Sequence, residues 1–308
     1  MTGDLLRLGL GVTAAPDVVQ AARRAEDLGF GYVSCGEHLF FHGAVPNAFV
    51  ALAAAAAVTD RIELLSSITI LPLYPAAMAA KLAAMVDVVS AGRFNLGVGA
   101  GGEFAREFDA VGVPVAQRGA RTDEGLEVLR LLFTGEEVHF QGTWSSLDAL
   151  ALNPPPCRRG GPPLWIAGRG DVATRRAARW GDVWMPHLCT PGQLARGMSL
   201  VRERTEEFGR RPDDVTGAVF AFVTTYPDGD AARRTAIDWV GNNYKQDFSE
   251  LGHLLVAGTP TECADRLREY QAAGAASVQL TIAAPQEDAD VMLDRIAHEI
   301  LPQFAPSP

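Results

Sequence analysis

Strand-like and helix-like signals alternate along almost the whole of the 308-residue chain, and few folds can absorb so regular an alternation. Strand-like runs lie near 6–12, 31–35, 62–70, 93–99, 163–167, 181–185, 217–225 and 276–283. Helical patterns follow near 16–28, 46–58, 75–90, 117–133, 171–180, 191–208, 259–273 and 286–303. Short apolar runs separated by amphipathic helices predict a parallel sheet with helices packed outside it. Eight such units in about 300 residues predict an α/β fold, the (β/α)8 TIM barrel. An open, doubly wound sheet is the competing architecture. Two segments break the rhythm. Residues 136–162 read as a β-ribbon with a Pro/Gly-rich connection, after the fourth strand. Residues 226–257 read as an irregular insertion after the seventh. No linker or low-complexity tract divides the chain, so one domain over 1–308 is expected.

Several helix ends carry their own chemistry. Thr259-Pro260-Thr261-Glu262 is a capping box with proline at the first helical position. Pro16 and Pro191 suit helix starts, and Gly29, Gly92 and Gly274 suit the left-handed residue that ends a helix.

Charge narrows the partners. With 37 acidic and 27 basic residues the net charge is −10, and Lys81 and Lys245 are the only lysines. Without a basic run, neither nucleic acid nor a membrane surface is an expected partner. Met1-Thr-Gly-Asp-Leu-Leu-Arg has no signal-peptide pattern, and the stretch from Leu64 to Ala80 is interrupted by Pro72 and Pro75, so no span is expected. Cys35, Cys157, Cys189 and Cys263 are far apart, which suits free thiols in the cytoplasm and no metal site.

In a parallel barrel the chemistry gathers at the C-terminal strand ends. After the second strand comes Gly36-Glu37-His38-Leu39-Phe40-Phe41. A histidine there, beside a carboxylate and aromatics, suits a general acid/base; simple packing is the bland alternative. The fourth strand ends in Gly97-Val98-Gly99-Ala100-Gly101-Gly102. Its GxGxxG does not open a long amphipathic helix, so a dinucleotide fingerprint is a poor reading. Strand alternation instead puts Asn95, Gly97 and Gly99 on one face, a nearly side-chain-free wall for a flat ring, or else plain barrel packing. After the fifth strand, Gly168-Arg169-Gly170-Asp171 runs into a helix, as an anion site would, or as an ordinary turn. Trp184-Met185-Pro186-His187 either lines a pocket or packs, and Cys35 reads as a buried filler.

Taken together these residues resemble the luciferase-like monooxygenase family, the bacterial luciferase-type barrel. The most specific stretch is AAMAAKLAAMVDVVSAGRFNLGVGAGGEFAREFDAVGVP (76–114), continued by RGARTDEGLEVLRLLFTGEEVHFQG. GEHLF (36–40), PPLWIAGRG (162–170) and RWGDVWMP (179–186) support it. The arrangement is most similar to the branch that uses the deazaflavin coenzyme F420. The resemblance implies a luciferase-like TIM barrel with insertions after strands 4 and 7. His38 would be the acid/base, with Glu37 beside it at the cofactor, and Ser67-Ile68 would be a cis peptide behind that cofactor. Further cofactor contacts are implied at Thr69, Gly99, Ala100, Gly101 and Gly102, and phosphate binding at Gly168, Arg169 and Gly170.

The implied reaction is hydride transfer between F420 and a small organic substrate. An FMN-dependent two-component monooxygenase is the alternative, and a non-catalytic flavin- or deazaflavin-binding protein a third. A homodimer and a separate reductase that regenerates the cofactor are the implied partners. The F420-dependent glucose-6-phosphate dehydrogenases carry a glutamate where this chain has Gly102, and lysines for the substrate phosphate that have no lysine counterpart here. A sugar phosphate is therefore not the expected substrate.

Overall fold

The computed structural model describes residues 5–12 and 18–305. The first half builds β1 (Arg7–Val12), α1 (Val18–Asp27), β2 (Tyr32–Cys35), α2 (Ala48–Ala56), β3 (Glu63–Ile70), α3 (Ala76–Val89) and β4 (Phe94–Gly99). Then come α4 (Ala105–Ala110), α5 (Arg118–Leu132) and an antiparallel ribbon of β5 (Val138–Gln141) and β6 (Ser146–Leu150). The second half runs β7 (Leu164–Ala167), α6 (Asp171–Trp180), β8 (Val183–Met185), α7 (Pro191–Glu207) and β9 (Thr216–Thr225). It ends with α8 (Gly229–Tyr244), β10 (Val256–Gly258), α9 (Pro260–Ala272), β11 (Ala275–Ile282) and α10 (Gln286–Arg295).

The sheet closes. β1 pairs in parallel with both β2 and β11, and the other side is sealed by β8 on β9, Val183 facing Thr216. The eight-stranded order β1-β2-β3-β4-β7-β8-β9-β11 is therefore a barrel and not an open sheet. Alternation explains how each strand serves two cores. In β7, Leu164 and Ile166 join the outer core beneath the helices, while Trp165 joins an inner cluster with Tyr32, Leu65, Met185 and Ala218. Tyr32 fits inside only because its neighbour is Gly9, where a β-carbon would sit 2.2 Å from the ring. Outside, the fully buried Ala79, Ala80, Ala83 and Ala84 let α3 approach the strands closely.

The expected helix ends form. Thr259 and Thr190 both make capping boxes, with Pro260 and Pro191 opening their helices. Gly29, Gly92 and Gly274 have φ of 87°, 81° and 103°. Pro16 lies outside the described residues. Two readings need correction. Residues 226–257 are not irregular: Asp228 caps the 16-residue α8, and β10 then extends β9, Val256 beside Val223. That helix has a broad apolar face (Ala236, Ile237, Val240) between polar residues, and its contacts with β9 stabilise it more than its own propensity does. The last helix ends at Arg295 and gives way to a π-helical turn over Ile296–Ile300. Among the described residues no helix is long and apolar enough to cross a membrane.

Candidate active site

His38 sits just beyond β2, and its Nδ1 lies 3.0 and 3.3 Å from the two carboxylate oxygens of Glu107. The backbone N–H of Leu39 donates to the same carboxylate at 3.1 Å. Glu107 is fully buried in α4, so these two donors are its solvation. With Nδ1 donating to an acceptor carboxylate, Nε2 is the nitrogen left to exchange a proton. Phe41 stacks on the imidazole at 4.3 Å and 14°, fixing the ring plane. Glu107 was missed in the sequence because the stretch after the glycines reads as loop. Its signal was a carboxylate between Phe104 and Phe108, facing inward with the second of them.

Glu37, adjacent to His38, has a different task. Its carboxylate accepts from Ile70 N (3.1 Å), Tyr74 Oη (2.9 Å), Asn47 Nδ2 (3.2 Å) and Ala48 N (3.4 Å). With its oxygens taken up by protein donors, it ties the His38 loop to the ends of β3 and α2. Burial holds its pKa above the ordinary carboxylate value, and the hydrogen bonds offset only part of that. The sign follows: the raised pKa contributes stability that is fully present below the ordinary value and is lost as pH rises through the folded one. Glu37→Gln should cost about 1–2 kcal/mol, because its NH2 must face a buried donor. It should also flatten that part of the pH dependence. Urea melts at acid and neutral pH check both, and an unchanged pH slope would show that Glu37 does not titrate.

The glycine wall of β4 exists, but it is covered. The Ser67–Ile68 peptide is cis, and there the register between β3 and β4 shifts. A β-carbon on Gly97 would lie 2.0 Å from the carbonyl oxygen of Ser66, and one on Gly99 1.8 Å from Cδ1 of Ile68. The missing side chains make room for the bulge, and Ile68, not an open ring site, lies on Gly99. Ala100 is half-buried, while Gly101 and Gly102 turn the chain with φ of 61° and 116°.

The remaining strand ends carry small and polar residues. Gly11 stands beneath the side chains of Gln279 and Thr281, and Ala167 lies near Gly99. Ser67 Oγ, Thr69 Oγ1 and Gln279 Oε1 are buried without a hydrogen-bond partner. Buried polar atoms rarely remain so, and a flat ring with a polar edge would supply partners.

Gly168 has φ 122° and its carbonyl accepts from Trp184 Nε1 at 2.9 Å. Trp184 therefore packs in the outer core and pins this turn, while Met185 points inward. Gly170 caps α6 without a side-chain hydrogen bond and opens on free space. Arg169 beside it is exposed and donates to the carbonyl of Leu188. Burial, and then Arg169, push the His187 pKa down, while Glu103 opposes. The same Glu103 and Arg169 act on Tyr244, whose pKa burial pushes up to about 12. The loops after β4, β7 and β8 and the end of α8 thus meet at one mouth. Phe222 carries Tyr244 at 6.0 Å and Phe220 at 5.1 Å, an aromatic side wall. Cys35 is a buried filler whose thiol burial pushes up to about 12.

Fold and site together define a (β/α)8 barrel with an imidazole–carboxylate pair at the C-terminal ends of its strands. Residues 5–277 match the family model of luciferase-like monooxygenases, and the chain belongs to that family. The match to uncharacterized mycobacterial proteins, at 34% identity, spans 60% of this chain and 63% of theirs. An F420-dependent glucose-6-phosphate dehydrogenase of Beutenbergia cavernae is 29% identical over 97% of this chain and 98% of its own. Among solved structures, a Streptomyces bottropensis monooxygenase superposes with a TM-score of 0.85 at 24% identity, covering 97% of this chain and all of that one. An F420-dependent secondary alcohol dehydrogenase, in complex with an F420–acetone adduct, gives 0.84 at 23%, over 98% of this chain and all of that one.

Proposed function

We propose that this enzyme transfers a hydride between coenzyme F420 and a small organic substrate, reducing a C=C or C=N bond or oxidising an alcohol. The observation that carries this reading is the His38–Glu107 pair at the strand ends, on the same barrel as buried polar atoms that lack partners. When bound, the deazaflavin supplies a carbon centre that gives or takes hydride, chemistry that no side chain here can perform. His38 Nε2 gives or takes the accompanying proton, and Glu107 holds the ring in one orientation. Ser67, Ile68 and Thr69 would back the ring, Ala100, Gly101 and Gly102 would border it, and Gly168, Arg169 and Gly170 would hold the phosphate. The free N–H groups at the start of α6 suit that anion. The full-length similarity to a relative named for F420 supports the choice of cofactor.

FMN is the second reading, because the Gly168–Gly170 turn suits either ribityl phosphate and the family takes its name from monooxygenases. Titration with each oxidised cofactor at matched ionic strength should show tighter binding of F420. Tighter FMN binding with oxygen-consuming turnover would transfer the assignment to the monooxygenase, and binding without any pH-dependent turnover would favour a binding protein. The partners in this reading are a small-molecule substrate, a reductase that recycles the cofactor, and a second copy of the chain. Val50 of α2 and Met78, Val88 and Val89 of α3 are exposed apolar residues on adjacent helices, which supports a homodimer through that face. Cytoplasmic residence is in keeping with four free thiols.

A further inference from the structure

A pocket of about 300 Å³ opens between the start of α6 and the start of α7, continuous with the Arg169-Gly170 turn. Its floor is apolar, Trp184 and Leu200, and its rim carries Arg169, Gln193 and Arg196. Trp184 forms a flat floor because it lies against Gly197, where a β-carbon would be 2.0 Å from the indole. Neither arginine has a carboxylate partner. Arg158, Arg176 and Arg204 each engage a carboxylate. Arg169 donates only to a backbone carbonyl, and Arg196 has no hydrogen bond or ion pair with any described residue. Acid is not scarce, with 37 acidic residues to 27 basic ones. The one carboxylate in the pocket lining, Asp171, is already paired with Arg204 and does not neutralise the rim.

From this geometry we infer that the pocket holds an anionic extension of the cofactor beyond its phosphate, with Arg196 as the residue that reads it. The inference rests on the F420 assignment above. FMN ends at its phosphate, whereas F420 continues into a lactyl-glutamyl tail bearing carboxylates. A phosphate at Gly168–Gly170 would leave such a tail at the pocket entrance. Arg196 is a binding residue here and takes no part in hydride or proton transfer.

The test is equilibrium titration, followed by cofactor fluorescence, of the whole protein with F420 and with F420 stripped of its glutamates. Wild type should bind the full cofactor roughly 3–10-fold more tightly, the range expected of one or two solvent-exposed ion pairs. Arg196→Ala should erase that ratio while leaving the stripped form's affinity within about twofold, and Arg196→Lys should keep most of it. The advantage should shrink between low and high salt. Because Arg196 is exposed and unpaired, its variants should melt with wild type. Equal affinity of wild type for the two forms, or an unchanged ratio in Arg196→Ala, would overturn the inference and leave the F420 assignment standing. Failure of wild type to bind either form would overturn both.

Discussion

His38→Ala should lower turnover on the true substrate by about 10²–10⁴-fold while cofactor affinity stays nearly constant. Proton transfer at Nε2 belongs to the transition state, whereas the Ala100–Gly102 turn and the Gly168–Gly170 turn are intact in the variant. The measurement is steady-state kinetics beside a cofactor titration. Glu107→Gln gives the companion result. Its amide retains the shape but has lost an acceptor, so one of two donors, Nδ1 or Leu39 N–H, is left opposed. Turnover should fall by about 10²-fold, because the ring is no longer held in one tautomer. A His38→Ala enzyme as active as wild type would reduce the histidine to packing. A Glu107→Gln enzyme with wild-type turnover would show that the carboxylate does not position the ring for catalysis.

Gly97→Ala should be among the most destabilising single substitutions in the barrel. The new methyl would start 2.0 Å from the Ser66 carbonyl oxygen. That atom belongs to the backbone beside the cis peptide, and Ser66 and Gly97 are further locked by a reciprocal pair of hydrogen bonds of 3.1 and 3.0 Å. No rotamer change can relieve the clash, so β3 and β4 must separate. Overpacking of this kind costs about 3 kcal/mol or more, which lowers Tm by roughly 5–10 °C in a protein of this size. Gly43→Ala is the control, since nothing lies within 4 Å of the position a β-carbon would take. Thermal melts of the two variants decide the matter, and similar melting temperatures would mean that the β3–β4 seam is loose.

The barrel was legible in the sequence because its signals are local and repeated. Apolar runs, amphipathic spacing, Thr-Pro helix starts and terminal glycines each act over a few residues. Where a local signal was weak, the reading failed. The helix over Gly229–Tyr244 carries Gly229, Asp230, Gly241, Asn242 and Asn243, poor helix formers, and stands because Ala236 and Val240 pack onto Phe222 and Phe248. Similarly, the glycines at 97 and 99 announced an empty face but not what would fill it. Ile68 lies 29 residues before Gly97 in the chain and meets it only through the register of β3 on β4.

The sequence by itself determined the alternating fold, the histidine at the end of β2 and the turn that opens α6. Tertiary structure alone decided the division of labour between two carboxylates. Glu37 is the neighbour of His38 in the chain, yet four donors from α2, β3 and their flanking loops turn it into a brace. Glu107, 69 residues further on, reaches the imidazole because closing the barrel brings α4 over the end of β2. Side chains of adjacent residues point in different directions, and a hydrogen bond acts over 3 Å of space irrespective of chain separation.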